Sequence, residues 1–276
     1  MFQSSAPRNR ASSAANIAEL IYHNTVRSVR KAHGNAFLSI VVSVFQSLMF
    51  VLFFYVMFSI MGMKSLALRG DFVIFLLTGI FLFMTHNKAV GAVLGSEGPT
   101  SAMMQHAPMN TFISIVSSML GVLYIQVIAV ASILFIYDVA MNPYVLTEVV
   151  DPMPVIGMLL LAWFSGGCIG LVFLALKPWF PGFVTFLSTL YKRANMIASG
   201  KMFVANALPS FMVAMFDWNP LFHTIDQARG FAFINYVPRN SNWEYVAYLS
   251  LVCLMIGLMG EFYTRRRASA SWSARN

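Results

Sequence analysis

The sequence predicts an all-α polytopic membrane protein, and three observations carry that expectation. Hydrophobic residues make up 58% of the chain and charged residues 10%, with a mean hydropathy of +0.70, far more apolar than a soluble domain. Charge-free stretches run over 32–63, 72–87, 98–137, 152–176 and 245–260, and a helix needs about 20 apolar residues to cross a hydrocarbon core. The alternating polarity of a membrane β-barrel is absent from these stretches. Five spans follow directly, and a sixth is read between 182 and 208.

The elements follow in order. Residues 1–35 hold five Lys/Arg and no long apolar core, so they read as a retained cytosolic tail and helix, not a secretory signal. Within them Tyr22, Val26 and Val29 share one helical face, and His23, Arg27, Arg30 and Lys31 another. This is the pattern of an amphipathic helix lying along a membrane surface. The transmembrane domain covers 36–263, with spans at about 36–62, 71–86, 111–138, 154–176, 183–208 and 243–263. Residues 264–276, rich in Ser, Ala and Arg, read as a mobile cytosolic tail.

Charge orients this bundle. With the N-terminus inside and six spans, thirteen of the eighteen Lys/Arg fall on the inner side, four fall outside (Lys64, Arg69, Arg229 and Arg239), and Lys201 lies near or within the membrane. Both termini are therefore expected in the cytoplasm. The net charge of +8 follows from this topology and calls for no nucleic-acid partner.

Span five is the least regular. It carries Lys192, Arg193 and Lys201, and a charge at the bilayer centre costs roughly 2.5–3.5 kcal/mol on insertion scales. Two readings stand for these residues, anchors at the membrane boundaries or the lining of a polar pathway. Between spans two and three, residues 88–108 contain the Ser96-Glu97-Gly98-Pro99 break and Gln105. They form either a plain connector or a segment that nests in a partner's groove.

Several chemistries fail on inspection. Gly200-Lys201 is no phosphate loop, because Asn195 and Met202 stand where glycine and Ser/Thr are needed. Ser165 within Phe164–Gly170, with His86 elsewhere, evokes an intramembrane serine protease, but span six offers no histidine; Gly166 and Gly170 read better as a close-packing face. Acids are almost absent from the spans, where Asp138 and Glu261 stand only near ends, too few for an ion relay. Cys168 and Cys253 lack metal-ligand spacing, and no metal site is expected.

The run from Ser199 to Tyr236 carries Ser199, Gly200, Phe203, Leu208 and Pro209, then Asn219, Pro220, Leu221, His223, Ile225, Asp226, Arg229 and Tyr236. It resembles the segment after the fifth span in ABC-2 type transporter permeases, closest to the capsular polysaccharide export permeases. Lys201 departs from the pattern. The resemblance implies a bacterial inner-membrane transport subunit that is not itself an enzyme. It implies a homodimeric pathway, two copies of a separate ABC ATPase that carry ATP and Mg, and periplasmic and outer-membrane polysaccharide export proteins as further partners. No cofactor is expected on this chain, and membrane lipid surrounds it.

By the same resemblance, residues 209–230 form re-entrant external helices between spans five and six, with Asn219, Pro220, His223, Asp226 and Arg229 at the outer mouth. Asn219 suits a helix cap, Pro220 a first turn, and Asp226 has Arg229 within reach three residues on. His223 is open between a satisfied packing residue and a proton-handling one. Ser96, Glu97, Gly98, Pro99 and Gln105 become the ATPase-coupling surface. Candidate pathway residues are Tyr55, Tyr124, Trp163, Tyr191 and Trp218, whose rings suit sliding sugars, with Lys192, Arg193 and Lys201 for an acidic, lipid-linked polymer. Alternatives are an exporter of O-antigen, teichoic acid or a drug, a membrane-embedded enzyme acting on lipid-linked sugars at the Asp217/His223/Asp226 group, and a passive channel or scaffold.

Overall fold

A computed structural model describes residues 10–30, 34–62, 70–98, 110–143 and 145–273. Among them the regular structure is helical throughout: α1 (Arg10–Arg30), α2 (Ala36–Ile60), α3 (Phe72–Leu94), α4 (Thr111–Ala140), α5 (Pro152–Leu176), α6 (Pro181–Ala198), α7 (Ser210–Phe216), α8 (Pro220–Ala232) and α9 (Trp243–Ser273), with short 3-10 turns at Val145–Thr147 and Ala205–Ala207.

Polar residues set the helix starts. Asn35, Asp71, Asn110 and Asn219 each accept a bond from the backbone two residues on, at the heads of α2, α3, α4 and α8, which satisfies one of the free amides of the first turn. Pro152, Pro181 and Pro220 occupy first-turn positions, where the missing N–H costs nothing.

Helix α3 is the centre of the bundle. It is apolar on every side and buried almost throughout, from Val73 to Val93, as expected of a helix surrounded by others. Its backbone meets that of α5 at glycines: a Cβ on Gly166 would lie 2.4 Å from the His86 carbonyl oxygen, and one on Gly170 would lie 2.9 Å from that of Val90. The small-residue face read from the sequence is therefore the α3–α5 seam. Gly257 and Gly260 bring α9 onto Leu171 and Ala175 of α5 in the same way. By contrast α2 buries one stripe, Ser39, Ser47, Val51, Phe54 and Phe58, and exposes Phe37, Phe45, Phe53 and Ile60.

Among the described residues, five helices are long and apolar enough to cross a membrane: α2, α3, α4, α5 and α9. Helix α6 is not among them, and the helix expected over 183–208 stops at Ala198. Gly200 takes a positive φ of 76°, and the chain turns there before Pro209 opens α7. Other bounds shift for related reasons. Helix α3 runs on to Leu94, into the segment expected at 88–108, because nothing breaks it before Gly95. Helix α9 continues to Ser273, across most of the tail expected at 264–276, since Ala, Arg and Ser after Gly260 bring no breaker.

The expected amphipathic helix is α1. Its packing face differs in detail: Val29 is buried, Ser117 Oγ donates to the Ile21 carbonyl at 3.1 Å, and Gly121 leaves room for Ser28, while Tyr22 stays exposed.

Candidate functional site

Helix α8 sits where α3, α5 and α9 begin, packed against all three. At its end the amides of Val150 and Asp151 donate to the carbonyls of Ala232 and Phe231. Gly79, which faces Arg229 of α8, is seven residues into α3, about 10 Å along the helix axis from its start. Helix α8 is thus set into the bundle rather than lying across its end, and nearly every one of its residues is buried.

Arg229 anchors it. The guanidinium is 1% exposed, lies 3.9 Å from the ring centroid of Phe75, and donates to the carbonyls of Gly200 (2.8 Å), Phe203 (2.6 Å) and Lys201 (2.9 Å). These carbonyls belong to the turn after α6, where no helix supplies them with donors. Burial lowers the Arg229 pKa to about 10, opposed by the nearby charge of Asp226, so the group stays ionised at neutral pH. The expected close pairing of Asp226 with Arg229 gives way to separate partners. Asp226 accepts from Tyr236 Oη and, at 2.7 Å, from Ser241 Oγ. The hydroxyls satisfy the carboxylate from the following strand-like segment, while Arg229, a turn further on, points back to the α6 break.

His223 bridges the same region. Its Nε2 donates to the Asp217 carbonyl and its Nδ1 accepts from the Asn242 amide at 3.0 Å. One donor and one acceptor fix a neutral ring with the proton on Nε2. Burial pushes its pKa below the ordinary imidazole value, outweighing the Asp217 carbonyl and the charges of Asp217 and Asp226. His223 is therefore a satisfied packing residue in this state. Asn219 caps α8 through Leu221 N at 3.0 Å and also donates to Asn195 Oδ1 and the Ala198 carbonyl, both at 3.1 Å.

A polar ladder that sequence reasoning passed over continues from there. Asn195 donates to Asn87 Oδ1 at 3.2 Å, and one residue away His86 bonds Tyr191 Oη through Nε2 at 2.7 Å and meets Ser165 Oγ at Nδ1 at 3.0 Å. The ladder ties α6 to α3 and α5 inside the bundle. Its signal was present in the adjacent polar pair His86-Asn87 within an apolar span and in Tyr191 and Asn195, four apart on one face of α6. The same geometry gives Ser165 and His86 no acid and no opening, since both are buried.

The pathway candidates are scattered. Lys201 is 2% exposed, donates to the Met196 carbonyl and lies 4.2 Å from the Phe83 ring centroid. Trp163 donates to the Met119 carbonyl at 2.8 Å, Tyr55 packs beside Phe72, and Tyr191 belongs to the ladder. Lys192 lies against Gly91, and Arg193 is exposed. Tyr124 and Trp218 are 52% and 50% exposed, on α4 and before α8. Among the described residues these side chains have different neighbours and surround no common cavity.

Of the expected coupling residues, Pro99 and Gln105 lie outside the described residues. Ser96 donates to the Val93 carbonyl at 2.7 Å, and the Glu97 amide donates to Ser114 Oγ at 3.0 Å. Ser96 and Glu97 line a cavity of about 690 Å³ with Asn24, Arg27, Ser28 and Arg30 of α1 and Ser114, Ser118 and Gly121 of α4; Gly98 adjoins Leu174 of α5. Among the described residues no cluster of three or more His, Cys, Asp or Glu could hold a metal.

No family model matches the chain. Two curated proteins do, both named polysialic acid transport protein KpsM, from Escherichia coli. They are 28% and 27% identical to this chain over 192 residues, which cover 68% of it and 71% of each relative. These two matches bear out the resemblance read from the Asn219–Arg229 motif, to the capsular polysaccharide export permeases of the ABC-2 type.

Proposed function

We propose that this protein is the membrane permease subunit of an ATP-driven exporter that moves a polysaccharide, acidic and lipid-linked, out of the bacterial cytoplasm. The observation that carries the reading is α8. A helix bearing an arginine, an aspartate and a histidine is inserted into an apolar bundle, where all three side chains find internal partners and only Arg229 Nε is left without one. Non-spanning backbone is tolerated at membrane depth where protein buries it. Helices α7 and α8 then form the re-entrant element between spans five and six, with α6 and the chain following it as span five and α9 as span six. Both termini face the cytoplasm.

The chain supplies a path and performs no covalent chemistry. Two copies form the pathway, and two copies of a separate ATPase carry ATP and Mg. Export proteins of the periplasm and outer membrane continue the route. The exposed Tyr124, Trp218 and Arg193, with Lys192 beside them in sequence, are the best placed of the candidates to meet the polymer, because a second copy can cover surfaces that one protomer leaves open. The ATPase docks at 96–98 and the chain beyond, where the cavity under α1 joins the coupling segment to the interface helix.

Purification of the tagged chain with the ATPase encoded beside it tests this reading, followed by ATP hydrolysis in lipid nanodiscs with residues 97–105 intact or replaced by a Gly-Ser linker. A stable assembly that loses its partner or its coupled activity on replacement supports it. An intact chain that binds no ATPase removes the energy source and the exporter reading with it.

A further inference from the structure

We propose that the groove between the end of α5 and the last membrane turns of α9 is a binding site for one anionic membrane phospholipid, independent of whatever the protein transports. The groove has a volume of about 360 Å³ and is walled by apolar and aromatic side chains, among them Leu176, Trp179, Ile256 and Tyr263. Its shape has a cause in the sequence. Gly257 and Gly260 draw α9 close to α5, where a Cβ on Gly260 would stand 2.9 Å from that of Ala175. Helix α5 then ends at Leu176 while α9 runs on to Ser273, so a slot opens beside the continuing helix.

The mouth of the groove is built and basic. Trp179 and Tyr263 are stacked with centroids 5.9 Å apart, and Trp179 Nε1 donates to Thr264 Oγ1 at 3.0 Å. The Arg267 guanidinium lies over both rings, 4.9 Å from Tyr263 and 5.7 Å from Trp179. Arg267 is the cation placed there; Arg265 donates to Asn110 Oδ1 at 3.4 Å and Lys177 to the Leu94 carbonyl at 3.2 Å. Glu261 is the one acid on this part of α9; the residue is half-buried, and its buried Oε1 has no hydrogen-bond partner.

Charge complementarity selects the occupant. An apolar slot that ends in an aromatic pair under a guanidinium matches a lipid chain leading to a phosphate at the membrane interface, the level at which Trp and Tyr prefer to sit. Juxtamembrane cations favour anionic headgroups over zwitterionic ones. A detergent or zwitterionic lipid fills the slot without using the guanidinium. The stacking of Trp179 on Tyr263 and the bond to Thr264 fix the aromatic pair in place, so little ordering is needed on binding.

Native mass spectrometry of the purified full-length chain, with dioleoylphosphatidylglycerol or dioleoylphosphatidylcholine added, tests the proposal without any polymer present. The expected result is selective retention of phosphatidylglycerol, weakened about fivefold by Arg267→Gln, the size of one basic residue's attraction to an anionic headgroup. Ile256→Trp, which fills the slot from an exposed position, should abolish the selective adduct. Equal retention of the two lipids overturns the proposal. So does selective retention that survives Ile256→Trp, since binding is then a surface charge effect outside the groove. Quenching by dibrominated phosphatidylglycerol, read as the difference between the wild-type chain and Trp179→Phe, reports on the same site with the slot intact; absence of quenching at Trp179 also overturns it.

Discussion

Gly79 of α3 and Arg229 of α8 fit only because the glycine has no side chain. A Cβ there would stand 2.8 Å from Arg229 Nη2 and 2.8 Å from the Lys201 carbonyl oxygen that Arg229 holds. The neighbours are backbone and a guanidinium committed to three bonds, so neither yields easily. Gly79→Ala should therefore destabilise the chain by about 1–3 kcal/mol, the usual range for overpacking. The measurement is the apparent melting temperature in detergent. An unchanged value would mean that α8 shifts freely against α3, contrary to its burial.

Arg229 itself cannot be replaced by another cation. Its fork reaches the carbonyls of Gly200, Lys201 and Phe203 together, which an ammonium on a flexible stem cannot match. Arg229→Lys should fall close to Arg229→Gln in stability, each leaving buried carbonyls without donors at roughly 1–3 kcal/mol apiece. Parallel melting curves decide it; a lysine variant as stable as wild type would show that charge alone, and not the fork, holds the α6 break.

Much of this arrangement was legible in the sequence, and the limits have physical reasons. Apolar length marked α2, α3, α4, α5 and α9, because a span is a one-dimensional property of composition. Asn219 and Pro220 announced the start of α8 through local cap chemistry. The Asp226–Arg229 spacing misled, since i,i+3 neighbours on a helix compete with partners from elsewhere in the fold, here Tyr236, Ser241 and the α6 turn. The end of span five was hidden because Gly200 is tolerated inside many membrane helices, and only its positive φ shows that the helix has stopped. Hydropathy leaves Lys201 open between a boundary anchor and a pathway cation; its bond to Met196 is local, and its place beside Phe54 and Phe83 is a tertiary fact.

Acidification should weaken the fold through His223. Its folded-state pKa lies below the ordinary value of 6.5 because burial disfavours the charged ring. The unfolded chain therefore binds more protons as pH falls through that value, and stability drops with it. The contribution is intact above about pH 7 and is lost progressively below the unfolded imidazole pKa. His223→Gln keeps a donor and an acceptor and does not titrate. The difference in melting temperature between the two chains should shrink from pH 7.5 to pH 5.5 as wild type loses its advantage. A constant difference across that range would show that His223 is equally protonated in both states.

The asparagine ladder offers a test that separates coupling from mere packing. Asn195 receives the Asn219 amide and donates to Asn87, so Asn195→Leu strands the Asn87 Oδ1 and loosens the residue that caps α8. The single variant should cost about 1–3 kcal/mol, mostly from the orphaned acceptor. Asn87→Leu alone should cost a similar amount by stranding the Asn195 amide. Combined, the two replace a buried polar pair by an apolar one, and that exchange is far cheaper than removing one partner. The double variant should therefore be at least as stable as either single one, a coupling well outside the roughly 0.3–0.5 kcal/mol expected of independent sites. Additive losses in the melting data would mean that the two asparagines act separately and that α6 is held to α3 by other contacts.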